Sequence, residues 1–306
     1  MNDLVSAIIT THNRKELLKC AIDSVLAQTY SPIELIVVDD ASDDGTSEIC
    51  QDLRIKYVYI PKDESRGGNY ARNLGIKNAK GKYIAFLDDD DEWLPTKIEK
   101  QVELAIEKQS SLVYCLRIYQ DVVDGQVIRI RKEFKPKPFG DLHESIFKHY
   151  ITSTSCILAE KILIETVGGF DESFRKWQEY DLMIRMAQKT AIYYVDDFLC
   201  KYRNDMKDAN RISNDFNRMR DTIGKIKKKY KDRIAVLPFK TRLYFYDMCV
   251  NDTYRLAKWT DHHIYRWILF LPQLFLRLFK IMDDRTIARK NVEFLKSRCK
   301  GIKLWR

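Results

Sequence analysis

Short apolar runs alternate with amphipathic segments along the first part of the chain. The runs are rich in β-branched residues and bounded by polar clusters, which predicts buried β-strands. Between them, apolar positions recur three or four residues apart, which predicts helices that pack one face against a core. Strands are predicted at Leu4–Thr10, Ile33–Val38, Lys56–Ile60 and Tyr83–Leu87.

Helix-start signals follow each of these strands. Asn13 is predicted to cap the first helix, and Thr46 to start a short second one. The glycine pair at 67–68 opens the third helix, and the fourth is predicted over Leu94–Lys108 with Pro95 in its first turn. Strands that alternate with helices in this way form a mostly parallel sheet covered on both faces, so the predicted fold class is α/β.

Three polar clusters lie where predicted strands end. They are Thr10–Arg14, Asp39–Thr46 and Asp88–Glu92. In open parallel sheets, ligands bind in a crevice outside the carboxyl ends of the strands. The pattern therefore predicts that these clusters meet in one ligand-binding crevice.

From residue 112 onward the regular alternation is lost. The pair Asp124-Gly125 lies between two apolar runs, which is a hairpin signal. Strands are predicted at Ser153–Leu158, Ile192–Val195 and Leu199–Arg203, and helices at Lys161–Val167 and Gln178–Gln188. After Asn210 strand signals nearly vanish, and the pattern predicts basic helices.

The composition is that of a folded protein with a sizeable core, since 45% of the residues are apolar. Seven cysteines are scattered without a CxxC pair, which argues against a disulfide framework or a zinc site. The N-terminal residues lack the basic start and long apolar stretch of a signal peptide. We therefore expect a cytoplasmic protein with reduced thiols.

The net charge of +9 is unevenly distributed. Residues 201–306 contain 27 Lys and Arg against 11 Asp and Glu, whereas acidic residues predominate before them. Within this basic region, the apolar stretch 264–282 is interrupted by basic residues and a proline, so it is too short to span a bilayer. Its pattern suits a helix lying at a membrane interface, and the alternative is a helix packed on the rest of the protein with a solvated basic face.

Four consecutive aspartates, Asp88 to Asp91, follow an apolar strand. Carboxylate oxygens are hard ligands suited to Mg²⁺ or Mn²⁺, and a divalent ion would offset the repulsion among them. Such an ion needs only one or two protein carboxylates when a diphosphate completes its shell. The alternative is a solvated acidic turn at the positive N-terminal end of the next helix.

Two further segments carry candidate groups for binding a nucleotide. Asp39 and Asp40, at a strand end, are candidates for hydrogen bonds to a base or ribose, although the segment also has the composition of a simple turn. Backbone N–H groups at the glycine pair 67–68 could bind phosphate, with Arg66 and Arg72 adding charge-assisted bonds. A helix N-terminus with a solvated arginine explains the second segment equally well.

Glu179 and Asp181 lie two residues apart at the start of a predicted helix and so point to different faces. One could act as a general base in a cleft while the other pairs with Arg185. Acidic residues that simply favour the helix dipole are the alternative.

Taken in order, these segments resemble the inverting glycosyltransferases of family 2. The resemblance covers roughly residues 4–203 and is carried by VSAIITTHNR, IELIVVDDASDDGT, RGGNYARNLGIKNAKGKYIAFLDDDDEWLP and GGFDESFRKWQEYDLMIR. It implies the A-type glycosyltransferase fold, a Rossmann-like, mostly parallel sheet flanked by helices. On this basis we assign residues 1–205 to a catalytic domain, with halves 1–118 and 119–205, and residues 206–306 to a helical extension.

The resemblance also implies roles for individual residues. Asp90 matches the family's metal ligand, and Glu179 takes the position of the catalytic base, where the family has aspartate. Asp205 stands where related sequences often carry a histidine. The residues implied to bind the nucleotide-sugar are Thr10, His12, Asp39, Asp40, Arg66, Asp88 and Asp89. The residues considered for acceptor binding or support are Asp91, Trp93, Trp177 and Asp181, the two tryptophans being equally compatible with a place in the core.

The implied activity is metal-dependent, inverting and non-processive transfer of a sugar from a nucleotide-sugar, with UDP the commoner nucleotide. The implied acceptor is a glycan or lipid-linked saccharide of cell-surface polysaccharide or glycoconjugate synthesis. Mn²⁺ or Mg²⁺ would be the cofactor, and the protein would be cytoplasmic or peripheral at the cytoplasmic face of the membrane. An inactive relative that acts as a scaffold, or a protein that binds nucleic acid through its basic tail, is the alternative, although the tail has no recognisable nucleic-acid motif.

Overall fold

The computed structural model describes residues 2–135, 137–206 and 215–259. Within these residues the chain forms two compact units. The first comprises residues 2–146 and 150–206, and the second comprises residues 147–149 and 215–259.

The first unit contains the sheet and six helices among its described residues. Its strands are β1 (Val5–Thr11), β2 (Ile33–Asp40), β3 (Ile55–Ile60), β4 (Tyr83–Asp88), β5 (Glu92–Trp93), β6 (Leu112–Val123), β7 (Gln126–Lys132), β8 (Ile157–Glu160) and β9 (Tyr193–Asp205). Its helices are α1 (Lys15–Leu26), α2 (Thr46–Ile49), α3 (Gly68–Asn78), α4 (Lys97–Glu107), α5 (Lys161–Thr166) and α6 (Gln178–Met186).

The strands form one mixed sheet in the order β3-β2-β1-β4-β8-β6-β9-β5, and β7 pairs with β6. The neighbours β3-β2, β2-β1 and β1-β4 are parallel, as the alternation of strands and helices predicts. Strand β8 is antiparallel to both β4 and β6 and joins this half of the sheet to the other. Strand β1 has almost no exposed surface because it lies centrally between β2 and β4.

The register of the parallel strands aligns the polar clusters. Thr11 pairs with Asp39 of β2, and Thr10 pairs with Asp88 of β4. A core of small and branched side chains beneath these ends, including Ala7 and Ile9, is fully buried. The three polar clusters therefore meet at the carboxyl ends of β1, β2 and β4, as predicted.

Two expectations about helix starts are wrong. Asn13 does not cap α1, because its backbone has a φ of 51° and its side-chain oxygen accepts a hydrogen bond from Asp43 N at 2.8 Å. The residue at the cap position is Arg14, which makes no side-chain capping bond. Pro95 lies before α4 rather than in its first turn, because the preceding residues Glu92–Trp93 form β5 instead.

Two strand predictions also need correction. The segment predicted as Ser153–Leu158 begins with a 3₁₀ turn at Thr154–Cys156, and only Ile157–Glu160 pairs as β8. The two strands predicted at 192–203 are one continuous strand, β9, with an irregularity in its pairing to β6. The irregularity occurs at the exposed residues Asp196 and Asp197, whose polarity interrupts the apolar pattern.

The second unit is helical where it is described, with α7 (Phe216–Lys229), α8 (Lys231–Val236) and α9 (Phe239–Trp259). Asp215 caps α7 by accepting a hydrogen bond from Arg218 N at 2.9 Å. No helix in the described part of the chain is long and apolar enough to cross a membrane. The stretch 264–282, for which a helix at a membrane interface or packed on the protein is predicted, lies outside the described residues.

Candidate active site

The strongest concentration of charge lies after β4, where the four aspartates follow one another. Arg72 of α3 donates to Asp88 Oδ1 at 2.6 Å. Arg14 donates to Asp89 Oδ1 at 3.1 Å and to Asp90 Oδ2 at 3.2 Å. Two arginines from different elements thus offset part of the repulsion among the carboxylates.

Burial distinguishes the aspartates of this turn. Asp89 is buried, and its burial together with the charge of Asp90 raises its pKa to about 6. Asp91 is more deeply buried, and desolvation raises its pKa well above the ordinary value. Its oxygens accept hydrogen bonds from Ser155 Oγ at 2.6 Å and from Arg203 N at 3.0 Å. Asp91 therefore holds the turn in place instead of facing a ligand.

Asp88 and Asp90 are the carboxylates of this turn that remain open to a ligand, with 28% and 24% of their side chains exposed. A small cavity beside Asp90 is also lined by Gln120 and Arg203. Among the described residues, no group of three or more Cys, His, Asp or Glu side chains is arranged to hold a metal ion. A single carboxylate suits Mg²⁺ or Mn²⁺ when a diphosphate supplies further oxygens, so this turn fits a metal held jointly with a nucleotide.

The ends of β1 and β2 present the predicted nucleoside-binding groups to the crevice. His12 Nδ1 lies 2.5 Å from the carbonyl oxygen of Asp40. The Asp40 side chain accepts a hydrogen bond from Gly67 N at 3.0 Å through Oδ2, while its Oδ1 is buried without a hydrogen-bond partner. A buried acceptor without a donor is costly, and an N–H or O–H group of a ligand would satisfy it.

Asp39 is engaged by the protein itself. Its Oδ2 accepts a hydrogen bond from the Tyr57 hydroxyl at 2.6 Å, and its Oδ1 accepts one from Ser42 N at 2.9 Å. Because both of its oxygens are engaged, the geometry favours Asp40 over Asp39 as a ligand-binding carboxylate.

The loop before α3 carries exposed cations. Arg66 lies over the Tyr70 ring at 4.8 Å, and its carbonyl oxygen accepts a hydrogen bond from Arg175 Nη1 at 2.8 Å. Gly67 has a φ of 91°, and a Cβ there would lie 2.6 Å from Arg175 Nη1. The positive φ favours glycine at this position, whereas the Arg175 guanidinium is the end of a flexible side chain that could move aside. Arg175 adds a second guanidinium group to this loop through its hydrogen bond to Arg66.

Glu179 lies in the first turn of α6 and is buried. Its Oε1 accepts a hydrogen bond from the Tyr150 hydroxyl, and its Oε2 is buried without a hydrogen-bond partner. Burial raises the pKa of Glu179, and the hydrogen bond from Tyr150 and the charge of Arg72 oppose that rise. A carboxylate with one oxygen fixed and the other unpartnered is suited to accept a proton.

The start of α6 is built by an unusual backbone conformation. Trp177 has a φ of 54°, which is uncommon for a bulky residue and marks a position constrained by its surroundings. Its ring packs edge-on against Tyr180 at 5.3 Å and lies 6.2 Å from the Tyr150 ring. This aromatic cluster fixes the turn that carries Glu179.

The remaining side chains considered for acceptor binding have structural partners. Trp93 is buried, donates from Nε1 to the Ser155 carbonyl oxygen at 2.8 Å and belongs to the main apolar core. Asp181 is fully buried and pairs with Arg185 at 2.7 Å, as the four-residue spacing predicts. Asp205, at the position where related sequences often carry a histidine, lies 3.9 Å from the Arg203 guanidinium.

Several site residues were not singled out from the sequence. Arg14 stands within a recognised cluster, but its contact with Asp89 and Asp90 depends on how β1 and β4 pair. Tyr150 lies in a segment without periodicity, and nothing in its local sequence indicates a contact with Glu179, which is 29 positions away. Only the three-dimensional fold brings these pairs together.

Residues 6–168, more than half of the chain, match the family model for Glycosyl transferase family 2. An uncharacterized glycosyltransferase of Rickettsia prowazekii is 32% identical over 252 residues, which are 81% of this chain and 79% of that relative. The chain therefore belongs to glycosyltransferase family 2, and it is a glycosyltransferase that uses a nucleotide-sugar.

A further relative resembles a third of the chain, and a solved structure resembles most of it. The UDP-Glc:alpha-D-GlcNAc-diphosphoundecaprenol beta-1,3-glucosyltransferase WfaP of Escherichia coli is 43% identical over 101 residues, 33% of this chain and 40% of that protein. The mannosyltransferase of Pyrobaculum calidifontis, solved with GDP-Man and Mn²⁺, aligns with a TM-score of 0.59 and 15% identity. That alignment covers 94% of this chain and 86% of the other, and it confirms the predicted A-type fold.

Proposed function

We propose that this glycosyltransferase moves a sugar from a UDP-sugar, with inversion at the anomeric carbon, onto a glycan or lipid-linked acceptor. The observation that carries the proposal is that Arg72 donates to Asp88 at 2.6 Å and that its positive charge also lowers the pKa of Glu179. The turn after β4, proposed as the donor site, and the start of α6, proposed to carry the base, are therefore close enough to interact electrostatically.

The donor is proposed to lie across the ends of β1, β2 and β4. Asp40 and His12 would meet the base or ribose, together with Thr10 at the end of β1. Asp88, held by Arg72, would lie near the ribose and sugar. Asp89, which is buried and bonded to Arg14 and Thr11, would support this position from behind. We retain Asp39 as a neighbour of the nucleoside, and its hydrogen bonds to Tyr57 and Ser42 suit a supporting role.

Asp90 is proposed to hold a divalent ion together with the donor diphosphate, and Arg66 to approach the same phosphates. When bound, such an ion neutralises charge on the departing nucleotide. The Mn²⁺ in the Pyrobaculum mannosyltransferase and the exposed carboxyl group of Asp90 support use of a divalent metal. We propose that the ion is Mn²⁺ or Mg²⁺, because both are hard cations that bind carboxylate and phosphate oxygens.

Glu179 is proposed as the general base. Its unpartnered Oε2 would take the proton from the acceptor hydroxyl as that oxygen attacks the anomeric carbon. The bond from the anomeric carbon to the diphosphate breaks as the new glycosidic bond forms, so no covalent enzyme intermediate is needed. Trp177 and Tyr180 pack beside the base and would fix its orientation.

The proposed substrates draw support from the Escherichia coli relative, whose name specifies UDP-Glc and a diphosphoundecaprenol-linked acceptor. A role in cell-surface polysaccharide or glycoconjugate synthesis at the cytoplasmic face of the membrane would follow. We also propose that residues 1–205 form the catalytic domain and that residues 206–306 form an extension that contacts the membrane.

A transfer assay tests this proposal directly. The protein would be incubated with UDP-, GDP- and dTDP-sugars and a polyprenyl-diphosphate-linked GlcNAc, with Mn²⁺ or with EDTA. We expect metal-dependent transfer from a UDP-sugar, with product of inverted anomeric configuration by NMR. Retained configuration, or transfer only from GDP- or dTDP-sugars, would contradict the proposal, and nucleotide binding without turnover would favour an inactive scaffold.

Tyr150→Phe is expected to move the acidic limb of the kcat/KM pH profile to higher pH. Burial raises the pKa of Glu179, and the Tyr150 hydroxyl partly counteracts this, so its removal raises that pKa further. The base is active as the carboxylate, so activity would be lost at a higher pH on acidification. Tyr114→Phe is the matched control, because Tyr114 is a buried tyrosine that donates to the Pro138 carbonyl oxygen. An unchanged limb in Tyr150→Phe would exclude Glu179 as the titrating group.

A further inference from the structure

Strand β7 lies at an edge of the sheet and exposes several apolar side chains. It pairs only with β6, and six of its seven residues are exposed. Val127, Ile128 and Ile130 leave 45%, 60% and 64% of their surface exposed. Neighbouring exposed aliphatic residues on an edge strand mark an interaction surface.

The pairing register shows which side of the sheet this surface occupies. Gln120 of β6 lies opposite Ile130 of β7 and opposite Arg203 of β9, and residues directly opposite one another share a face. Gln120 and Arg203 line the cavity beside Asp90. Ile130 therefore lies on the cavity side, two strand spacings or about 10 Å from Arg203.

Lys132 shares this face with Ile130, because side chains two positions apart on a strand point the same way. Ile128 lies at an irregularity of the pairing, between Val127 opposite Val122 and Arg129 opposite Asp121. We call the exposed residues of the strand from Val127 to Lys132, without the partly buried Arg131, the β7 face. The strand sequence QVIRIRK contains three basic residues and no acidic residue. Arg131 pairs with Asp121 at 2.7 Å, and Lys132 lies 5.0 Å above the Phe198 ring. The β7 face thus combines aliphatic groups with positive charge.

This charge argues against a second copy of the chain as the partner. Two β7 strands paired edge to edge would bring six basic residues together with no acidic residue from either strand. Like charges on paired strands are destabilising. An anionic surface that also accepts aliphatic side chains satisfies both properties, and a bilayer containing acidic lipids has this chemistry.

We propose that the β7 face binds an anionic lipid surface. Its position beside the Asp90 cavity would let a lipid-linked acceptor keep its hydrocarbon in the bilayer while its saccharide reaches the catalytic groups. This last link rests on the proposed function, whereas lipid binding by the β7 face does not. The surface belongs to the first compact unit and is separate in sequence from the basic stretch 264–282.

Co-sedimentation of the full chain with vesicles tests the proposal. The vesicles would contain phosphatidylcholine alone or mixed with phosphatidylglycerol. Ile128→Ser/Ile130→Ser should lower the partition coefficient on the mixed vesicles about tenfold, because less apolar surface is buried. Arg129→Gln/Lys132→Gln should reduce the preference for anionic vesicles, also about tenfold. The matched control is Ile162→Ser, which removes an aliphatic side chain that is 67% exposed on α5.

If both double variants bound the mixed vesicles with the wild-type partition coefficient, the proposal would be overturned and binding would be assigned to another part of the chain. Equal binding of wild-type protein to neutral and anionic vesicles would also overturn it. A dimer seen by light scattering and lost in Ile128→Ser/Ile130→Ser, with vesicle binding unchanged, would assign the face to a second copy. Nucleotide binding with Mn²⁺, measured on the same proteins, separates the two proposals: its absence in wild type would refute the proposed function and leave the vesicle result standing.

Discussion

Glu179→Gln is expected to lower transfer turnover about a thousandfold while nucleotide binding is unchanged. The amide keeps the shape of the side chain but cannot accept the proton of the acceptor hydroxyl. Glu179 is buried, its Oε2 lacks a partner, and its Oε1 accepts a hydrogen bond from Tyr150. The substitution therefore removes the proposed chemistry without removing a donor contact.

Steady-state kinetics and calorimetry on the same preparation would measure the two effects separately. The loss should fall on kcat, because proton transfer belongs to the transition state. Glu172→Gln is a suitable control, since Glu172 accepts a hydrogen bond from Asn73 at 3.1 Å on the loop before α6. A Glu179→Gln protein with more than about a tenth of wild-type turnover would show that another group takes the proton.

Asp90→Asn is expected to lower turnover by about a thousandfold at low Mn²⁺ and to weaken the apparent affinity for Mn²⁺. The partly exposed carboxyl group would lose the negative charge that attracts the ion. Arg14, which donates to Asp90 Oδ2 at 3.2 Å, can still bond to the amide oxygen, so the turn should keep its shape. Activity would be measured against Mn²⁺ concentration, with and without EDTA.

The control for this substitution is Asp43→Asn, which removes an exposed carboxylate from the loop after β2. We expect Asp43→Asn to retain the Mn²⁺ dependence of wild type. If Asp90→Asn and wild type responded identically to Mn²⁺, the assignment of Asp90 as the metal ligand would be wrong.

The parallel strands β1, β2 and β4 could be predicted from the sequence. The starts and ends of β1, β2 and β4 lie within one or two residues of the predicted bounds. They are parallel and central, so both faces are buried and their sequences read as continuous apolar runs. Because the ends of neighbouring parallel strands lie side by side, the meeting of the aspartates with the polar ends of β1 and β2 was predictable as well.

Predictions failed where local and tertiary preferences compete. Asn13 has the residue type of a helix cap, but its side chain instead bonds to Asp43 N in the neighbouring loop. Strand β9 was divided in two because Asp196 and Asp197 interrupt its apolar pattern, although the strand continues through them. In both places a contact distant in sequence overrides the local signal.

Only part of the chemistry of the site could be predicted from the sequence, for the same reason. The run of four aspartates is recognisable from its composition, whereas its hydrogen-bond partners, such as Arg14 and Ser155, are common residue types. Trp93 illustrates the reverse case, since a tryptophan beside the motif is a core residue with its Nε1 bonded to Ser155 O. Residue type alone does not separate a ligand contact from a structural one.

The most direct test of the central claim is calorimetric titration of UDP, GDP and dTDP into wild-type protein and into Asp90→Asn, each with Mn²⁺ and with EDTA. The proposed donor site predicts that wild type binds UDP with Mn²⁺, that EDTA abolishes this binding, and that Asp90→Asn weakens it strongly. Binding of UDP to wild type that is equally tight with EDTA, or is unchanged in Asp90→Asn, would contradict a metal-dependent donor site at the end of β4.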